Sequence, residues 1–207
     1  MSTPGSPPGL ERWERRYGAE GYVFGTAPSG FLARQAHLLH PGMSALAVAD
    51  GEGRNGVWLA EQGLDVLAVD FSPTGQAKAR ALAAERGVAL RTECADLAQW
   101  AFPTAVFDVV VAIFFQFAGP AVRTRIFDGI RRSLKPGGLL LLQGYRPEQL
   151  AYGTGGPSEV ENLYTHELLE HAFAGFSELS IHAYDAELSE GGGHAGMSAL
   201  IELVGRL

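Results

Sequence analysis

Cysteine is nearly absent: Cys94 is the one thiol in 207 residues, which excludes an intrachain disulfide and any multi-thiolate metal centre. That fits a reducing compartment, and the cytoplasm is the expected location. Long apolar runs are missing too. The most apolar stretch, Val106 to Phe117, is interrupted by Asp108 and Gln116 and falls short of the roughly 18 residues that a membrane span needs. The opening MSTPGSPPGLERW has no basic segment leading into an apolar block, so it reads as a flexible lead-in and not as a secretory signal. Positive charge is scarce. Sixteen Lys and Arg against 23 Asp and Glu leave a net charge of −7, a field that repels phosphate backbones and anionic lipid. Neither a nucleic acid nor a membrane is expected as a partner. A G-x-S-x-G nucleophile setting occurs nowhere.

What is present is apolar material for a core: 46% of residues are hydrophobic and 19% charged, enough for one domain over residues 1–207, with residues 1–40 as an N-terminal helical lid segment. Helical patterns are expected at Leu10 to Tyr17 and Gly30 to Leu39. An alternation follows: apolar Ala45 to Ala49, helical Gly53 to Gln62, apolar Asp65 to Val69, helical Thr74 to Arg86, apolar Val88 to Glu93. Phe107 to Phe115 is a continuous apolar run of the kind buried on both faces, and a helical pattern at Ala121 to Leu134 separates it from a further strand, Gly138 to Gly144. After a helix at Thr165 to Phe173, Glu178 to Asp185 and Met197 to Val204 flank a glycine-rich loop, which is a hairpin. The expected fold is therefore α/β: a doubly wound, mostly parallel seven-stranded sheet with helices on both faces and a C-terminal antiparallel hairpin.

The first strand runs into Asp50-Gly51-Glu52-Gly53-Arg54-Asn55-Gly56, a turn that lets backbone approach a ligand over a helix N-terminus. GEGRNG satisfies the dinucleotide fingerprint, with Asp70 19 residues beyond Gly51. A nicotinamide-dependent oxidoreductase is thus one reading. Charge argues for another, because Asp50 and Glu52 would repel a pyrophosphate and attract a sulfonium or ammonium group. S-adenosylmethionine is such a ligand, with a ribose diol for Asp70 and an adenine for the later strands. Asp70 can accept both ribose hydroxyl hydrogens.

These residues resemble the class I S-adenosylmethionine-dependent methyltransferases, and within them small bacterial enzymes related to tellurite-resistance and thiopurine methyltransferases. ALAVADGEGRN resembles the first motif of that family, AVDFS its second, CADL its third, FDVVVAIF its fourth, and LKPGGLLLLQGY the turn and strand that follow. The resemblance implies a Rossmann-like fold, S-adenosylmethionine as cofactor, and methyl transfer to a small molecule such as a thiol or chalcogen oxyanion, with no metal. It places Gly51 and Gly53 at the cofactor turn, Asp70 at the ribose, Phe71 against the adenine, Asp96 and the backbone of Leu97 at its edge, and Ala112, Ile113 and Phe114 near the sulfur. Two positions depart from the family pattern, Ala47 where an acidic residue is usual and Ala49 where glycine is. Asp50 is expected to supply the methionine ammonium with a carboxylate instead. A non-catalytic module that binds S-adenosylmethionine is the remaining alternative.

The acceptor side rests on topology: ligands sit at the carboxyl ends of parallel strands, so the loop after the fifth strand belongs there. Arg146 and Tyr152 are candidates on that loop, and the hairpin loop from Leu188 to Gly196 brings His194. Trp13, Tyr17, Tyr22 and Phe24 are candidates for the lid. THELLEH imitates a zinc motif, but His166 and His171 lie five apart, about 140° around a helix, and do not share a face.

Overall fold

The computed structural model describes residues 9–207; the opening segment read as a flexible lead-in lies, over residues 1–8, outside the described residues. Strand β1 (Ser44–Val48) shows why the sheet is covered on both sides. Ala45 and Ala47 join Val66, Val109 and Leu139 in one apolar cluster that also takes in Phe31, Leu32 and Leu59. Leu46 and Val48 join Val110, Leu140 and Leu142 in another, with Ile126, Phe127 and Phe173. Alternate side chains of one strand therefore feed two cores, as the pleat requires.

The sheet has seven strands in the order β3-β2-β1-β4-β5-β7-β6, with β2 at Asp65–Asp70, β3 at Arg91–Cys94, β4 at Phe107–Ile113, β5 at Leu134–Tyr145, β6 at Glu178–Glu190 and β7 at His194–Arg206. The first five run parallel, and β7 is antiparallel to both β5 and β6. The expected doubly wound sheet and closing hairpin are what the chain forms. Strand order reverses between β1 and β4, and the crevice at that switch point is where such sheets bind ligands.

The helices are α1 (Leu10–Tyr17), α2 (Gly30–Arg34), α3 (Arg54–Glu61), α4 (Pro73–Arg86), α5 (Pro120–Ser133), α6 (Gln149–Tyr152) and α7 (His166–Ala172). Their limits follow local chemistry. Ser72 caps α4 by accepting from the Gly75 N–H at 2.9 Å, Pro73 opens it, and Gly87 closes it at φ 68°. Thr165 caps α7 in the same way. The helix expected from Gly30 to Leu39 ends early at Arg34 and resumes as a single 3-10 turn, Ala36–Leu38.

The hairpin is longer than its apolar pattern implies. Pairing continues out to Glu190 opposite His194, so the glycine-rich segment expected as a loop shrinks to a turn over residues 191–193. Among the described residues no helix is long and apolar enough to cross a membrane.

Candidate active site

A cavity of about 770 Å³ opens at the carboxyl ends of β1, β2 and β4, within the rough 300–1,000 Å³ range of small-molecule sites. Its floor is the turn after β1. Ala49 takes φ 51°, Gly51 φ 56° and Gly53 φ 89°, so the chain reverses through three left-handed residues, one of which bears a methyl group. A Cβ on Gly53 would lie 2.6 Å from the Ala79 Cβ, and one on Gly51 2.5 Å from the Tyr17 hydroxyl. The two glycines therefore let α4 and Tyr17 close on the turn.

The carboxylates here are held differently from the expected open acidic bend. Asp50 accepts from the Gly56 N–H at 3.1 and 3.2 Å, one through each oxygen, and so serves the first turn of α3. Glu52 accepts from the Val23 N–H at 2.8 Å and pairs with Lys78 at 2.9 Å. Asp70 accepts from the Gly51 N–H at 3.0 Å and the Ser72 N–H at 2.9 Å. Burial pushes the Asp50 carboxyl up to about 7 against these bonds, and Asp70 up to about 6 for the same reason. The turn is thus partly compensated from within, and among the described residues neither Asp50 nor Asp70 forms an ion pair, whereas Glu52 does.

Farther along the sheet, Phe71 lines the cavity with its ring near-parallel to that of Phe117, at a centroid distance of 6.3 Å and an angle of 14°. Asp96 and Leu97 also line it, and Asp96 accepts from the Ala98 N–H at 2.9 Å. Ala112 is fully buried in the sheet core and does not line the cavity; the lining begins with Ile113, the last residue of β4, and Phe114 after it. The β4 terminus must turn before it meets the cavity, and Phe114 makes that turn at φ 51°. Gln116 fixes it by donating to the carbonyls of Tyr145 and Asn162 at 2.9 and 3.1 Å. A glutamine inside the otherwise apolar FFQF was the available signal for that role.

The roof comes from the two ends of the described chain. Trp13, Tyr17 and Phe24 line the cavity, whereas Tyr22 packs outside it and donates to the Lys78 carbonyl at 3.3 Å. Glu14 anchors α1 at the start of α4, accepting from the Ser72 hydroxyl and from the Thr74 hydroxyl at 2.6 Å. From the other end comes His194, 8% exposed, in β7 and not in a loop. Its ring lies between Phe24 and Phe114 at 4.5 and 4.3 Å, and its Nδ1 is 2.5 Å from the Tyr145 hydroxyl. Burial, then the Arg54 and Arg16 guanidiniums, push His194 down to about 3, so it stays neutral and does not readily keep a proton.

Arg146 and Tyr152 do not join this group. Arg146 pairs with Asp185, and the Tyr152 hydroxyl donates to the same carboxylate at 3.0 Å on the outer side of the hairpin. The topology places their loop correctly, but Asp185 draws both side chains away from the cavity. Tyr145, Arg16 and Phe117 take places at the cavity that the sequence pattern did not single out.

Comparison with known proteins agrees with this geometry. Residues 45–138 match the family model described as a methyltransferase domain, the segment from β1 to the start of β5 that builds the turn, Asp70 and Asp96. A carboxy-S-adenosyl-L-methionine synthase of Geobacter metallireducens is 36% identical over 123 residues, 56% of this chain and 46% of that protein. The chain therefore matches about half the length of that curated relative. In fold, it is similar to the N-methyltransferase NodS of Bradyrhizobium japonicum, solved with S-adenosyl-L-homocysteine, at a TM-score of 0.72 and 14% identity over 97% of this chain and 98% of that one. It is also similar to TehB of Haemophilus influenzae, at a TM-score of 0.68 and 16% identity over 95% and 66%.

Proposed function

We propose that the protein transfers a methyl group from S-adenosylmethionine to a small-molecule acceptor by in-line displacement. The observation that carries this reading is Asp70: a carboxyl 4% exposed, at the end of β2, fixed by the Gly51 and Ser72 N–H groups while it lines the cavity. The fit of the remaining residues supports it. The Gly51 and Gly53 cradle has no room for side chains, Asp50 lies buried with no ion-pair partner among the described residues, and Phe71 and Phe117 offer ring faces.

In this reading Asp70 holds the ribose diol, Asp96 and the Leu97 N–H read the adenine edge, and Asp50 faces the methionine ammonium through its remaining lone pairs. When bound, the cofactor supplies an electrophilic methyl group on a sulfonium that is its own leaving group. The chain's part is alignment in a dry chamber, which can supply on the order of 7–11 kcal/mol of the barrier. Ile113 and Phe114 exclude water, and of the segment expected as a lid over residues 1–40 the part that serves is the one bearing Trp13, Tyr17 and Phe24, since Phe31 and Leu32 pack into the sheet core. His194 and Tyr145 form a neutral, oriented pair that positions the acceptor; a strong base is absent from this wall, which suits an acceptor that ionises readily, such as a thiol or a chalcogen oxyanion.

Titration calorimetry against S-adenosylhomocysteine, NAD and NADP tests the cofactor, followed by a methyl-transfer assay with thiols, tellurite, selenite and phenols. Binding of S-adenosylhomocysteine, loss of that binding in Asp70→Ala, and turnover of at least one acceptor class are expected. Binding of NAD or NADP alone would turn the reading into that of an oxidoreductase, and cofactor binding without any turnover into that of a binding module.

A further inference from the structure

The cations that line the cavity differ in how they are satisfied. Arg54 is paired with Glu190 at 2.8 Å, both largely buried. Arg12 is exposed to solvent at the rim, where it adds to the lowering of the Glu159 carboxyl that the Ser158 hydroxyl chiefly causes. Arg16 is the half-buried one without a counter-ion: among the described residues, no carboxylate lies within 4.0 Å of its guanidinium. The group is nonetheless held in place, its central carbon 5.2 Å from the Trp13 ring centroid and 4.9 Å from that of Phe24. Gly193 leaves the space, since a Cβ there would fall 2.8 Å from the Arg16 Nη2. Aromatic contacts of this kind fix and partly desolvate a guanidinium while leaving its in-plane N–H donors free.

The cavity therefore carries ionisable groups of opposite kind at its two ends, separated by apolar walls. Its floor carries the buried carboxyls Asp50 and Asp70, and its roof carries an unmatched planar cation beside an uncharged histidine. We propose that the methyl acceptor carries a carboxylate or a similar planar oxyanion, and that Arg16 is the residue that binds it. This rests on the methyltransferase reading and narrows it.

The chemistry is consistent with the uncharged wall. An acceptor thiol that arrives as its thiolate uses a sulfur lone pair to form the S–CH3 bond, the bond from the methyl carbon to the sulfonium breaks with its electron pair to that sulfur, and both sulfurs end neutral. No proton remains for His194 to accept. The oxyanion on Arg16 stays outside the displacement and fixes the direction of approach.

The test uses two thiols of the same shape, 4-mercaptobenzoate and 4-mercaptobenzamide, titrated calorimetrically into the protein with and without saturating S-adenosylhomocysteine. The carboxylate is expected to bind at least tenfold more tightly than the amide. That ratio should fall to near one in Arg16→Gln and be partly kept in Arg16→Lys, with the affinity for S-adenosylhomocysteine unchanged in both. A ratio near one in the parent protein, failure of both thiols to bind, or an undiminished ratio in Arg16→Gln overturns the proposal. If a variant does not fold, the parent ratio and its fall with added salt still decide it. Absence of S-adenosylhomocysteine binding is a separate result that removes the methyltransferase reading, while the thiol ratio without it still tests Arg16.

Discussion

Replacing Asp50 by asparagine should stabilise the protein at alkaline pH and do much less at acidic pH. The folded carboxyl holds its proton up to about 7, pushed there first by burial, whereas an unfolded aspartate releases it near 3.8. Between those values the native state binds more protons than the unfolded one, so this group's contribution to stability is complete below 3.8 and is lost as pH rises through about 7. One pKa unit is worth about 1.4 kcal/mol, so the loss between pH 5 and pH 8 is about 3 kcal/mol. Asparagine keeps an oxygen for the Gly56 N–H and does not titrate. Urea or thermal denaturation of both proteins at pH 5 and pH 8 measures the difference, expected as roughly 6–12 °C of relative gain at pH 8, from ~2–4 °C per kcal/mol for a chain of this size. His194 works in the opposite sense. Its imidazole is pushed down to about 3, so its contribution is present above 6.5 and is lost as pH falls toward about 3; it is common to both proteins and cancels in the comparison. Equal differences at the two pH values would refute the argument.

Three further outcomes follow from other positions. Ala49→Gly should be neutral or stabilising in urea denaturation, because relief of ~1–2 kcal/mol at φ 51° offsets the usual ~0.5–1 kcal/mol loss for glycine, and a loss of 1 kcal/mol or more would count against strain there. Gly193→Ala puts a Cβ 2.2 Å from the Phe24 Cε1, so ~1–3 kcal/mol of stability should be lost, with weaker acceptor binding seen by calorimetry; unchanged values would mean that the roof yields freely. Tyr152→Phe removes a hydroxyl bonded to Asp185 outside the cavity, so turnover with a thiol acceptor should stay within about twofold and the thermal midpoint should stay unchanged; a roughly tenfold fall in turnover would return Tyr152 to the site.

Where elements bury apolar side chains, the sequence pattern located them. FDVVVAI is covered on both faces of the sheet and reads as a strand without help from its neighbours. Arg91–Cys94 is an edge strand with mostly exposed side chains, so its signal is weak and the expected position, Val88 to Glu93, lies about two residues early. The outer half of the hairpin was hidden because its glycines resemble a loop, while cross-strand pairing carries both strands to Glu190 and His194. At the site, backbone-driven features were legible: the glycine turn, Asp70 and Asp96 all follow strand ends. Side-chain direction was not. Nothing local tells that Asp185 draws Arg146 and Tyr152 outward, that Ala112 stops one residue short of the cavity, or that Arg16 lies between two rings.

The clasp over the cavity joins segments made at opposite times in synthesis. The Gly193 N–H donates to the Val23 carbonyl at 3.1 Å, and Glu190 takes up both the Gly30 N–H and Arg54, the former across 160 residues. Until β7 is made, Phe24, Phe114 and Tyr145 lack the ring of His194 that packs against them, and β5 lacks its neighbour in the sheet. The chamber is thus the last part to be assembled, at a closure cost that grows with the intervening length. A chain that lacks β7 would leave β5 as an unpaired edge and the cavity without His194, which exposes apolar surface of the kind that chaperones and proteases recognise.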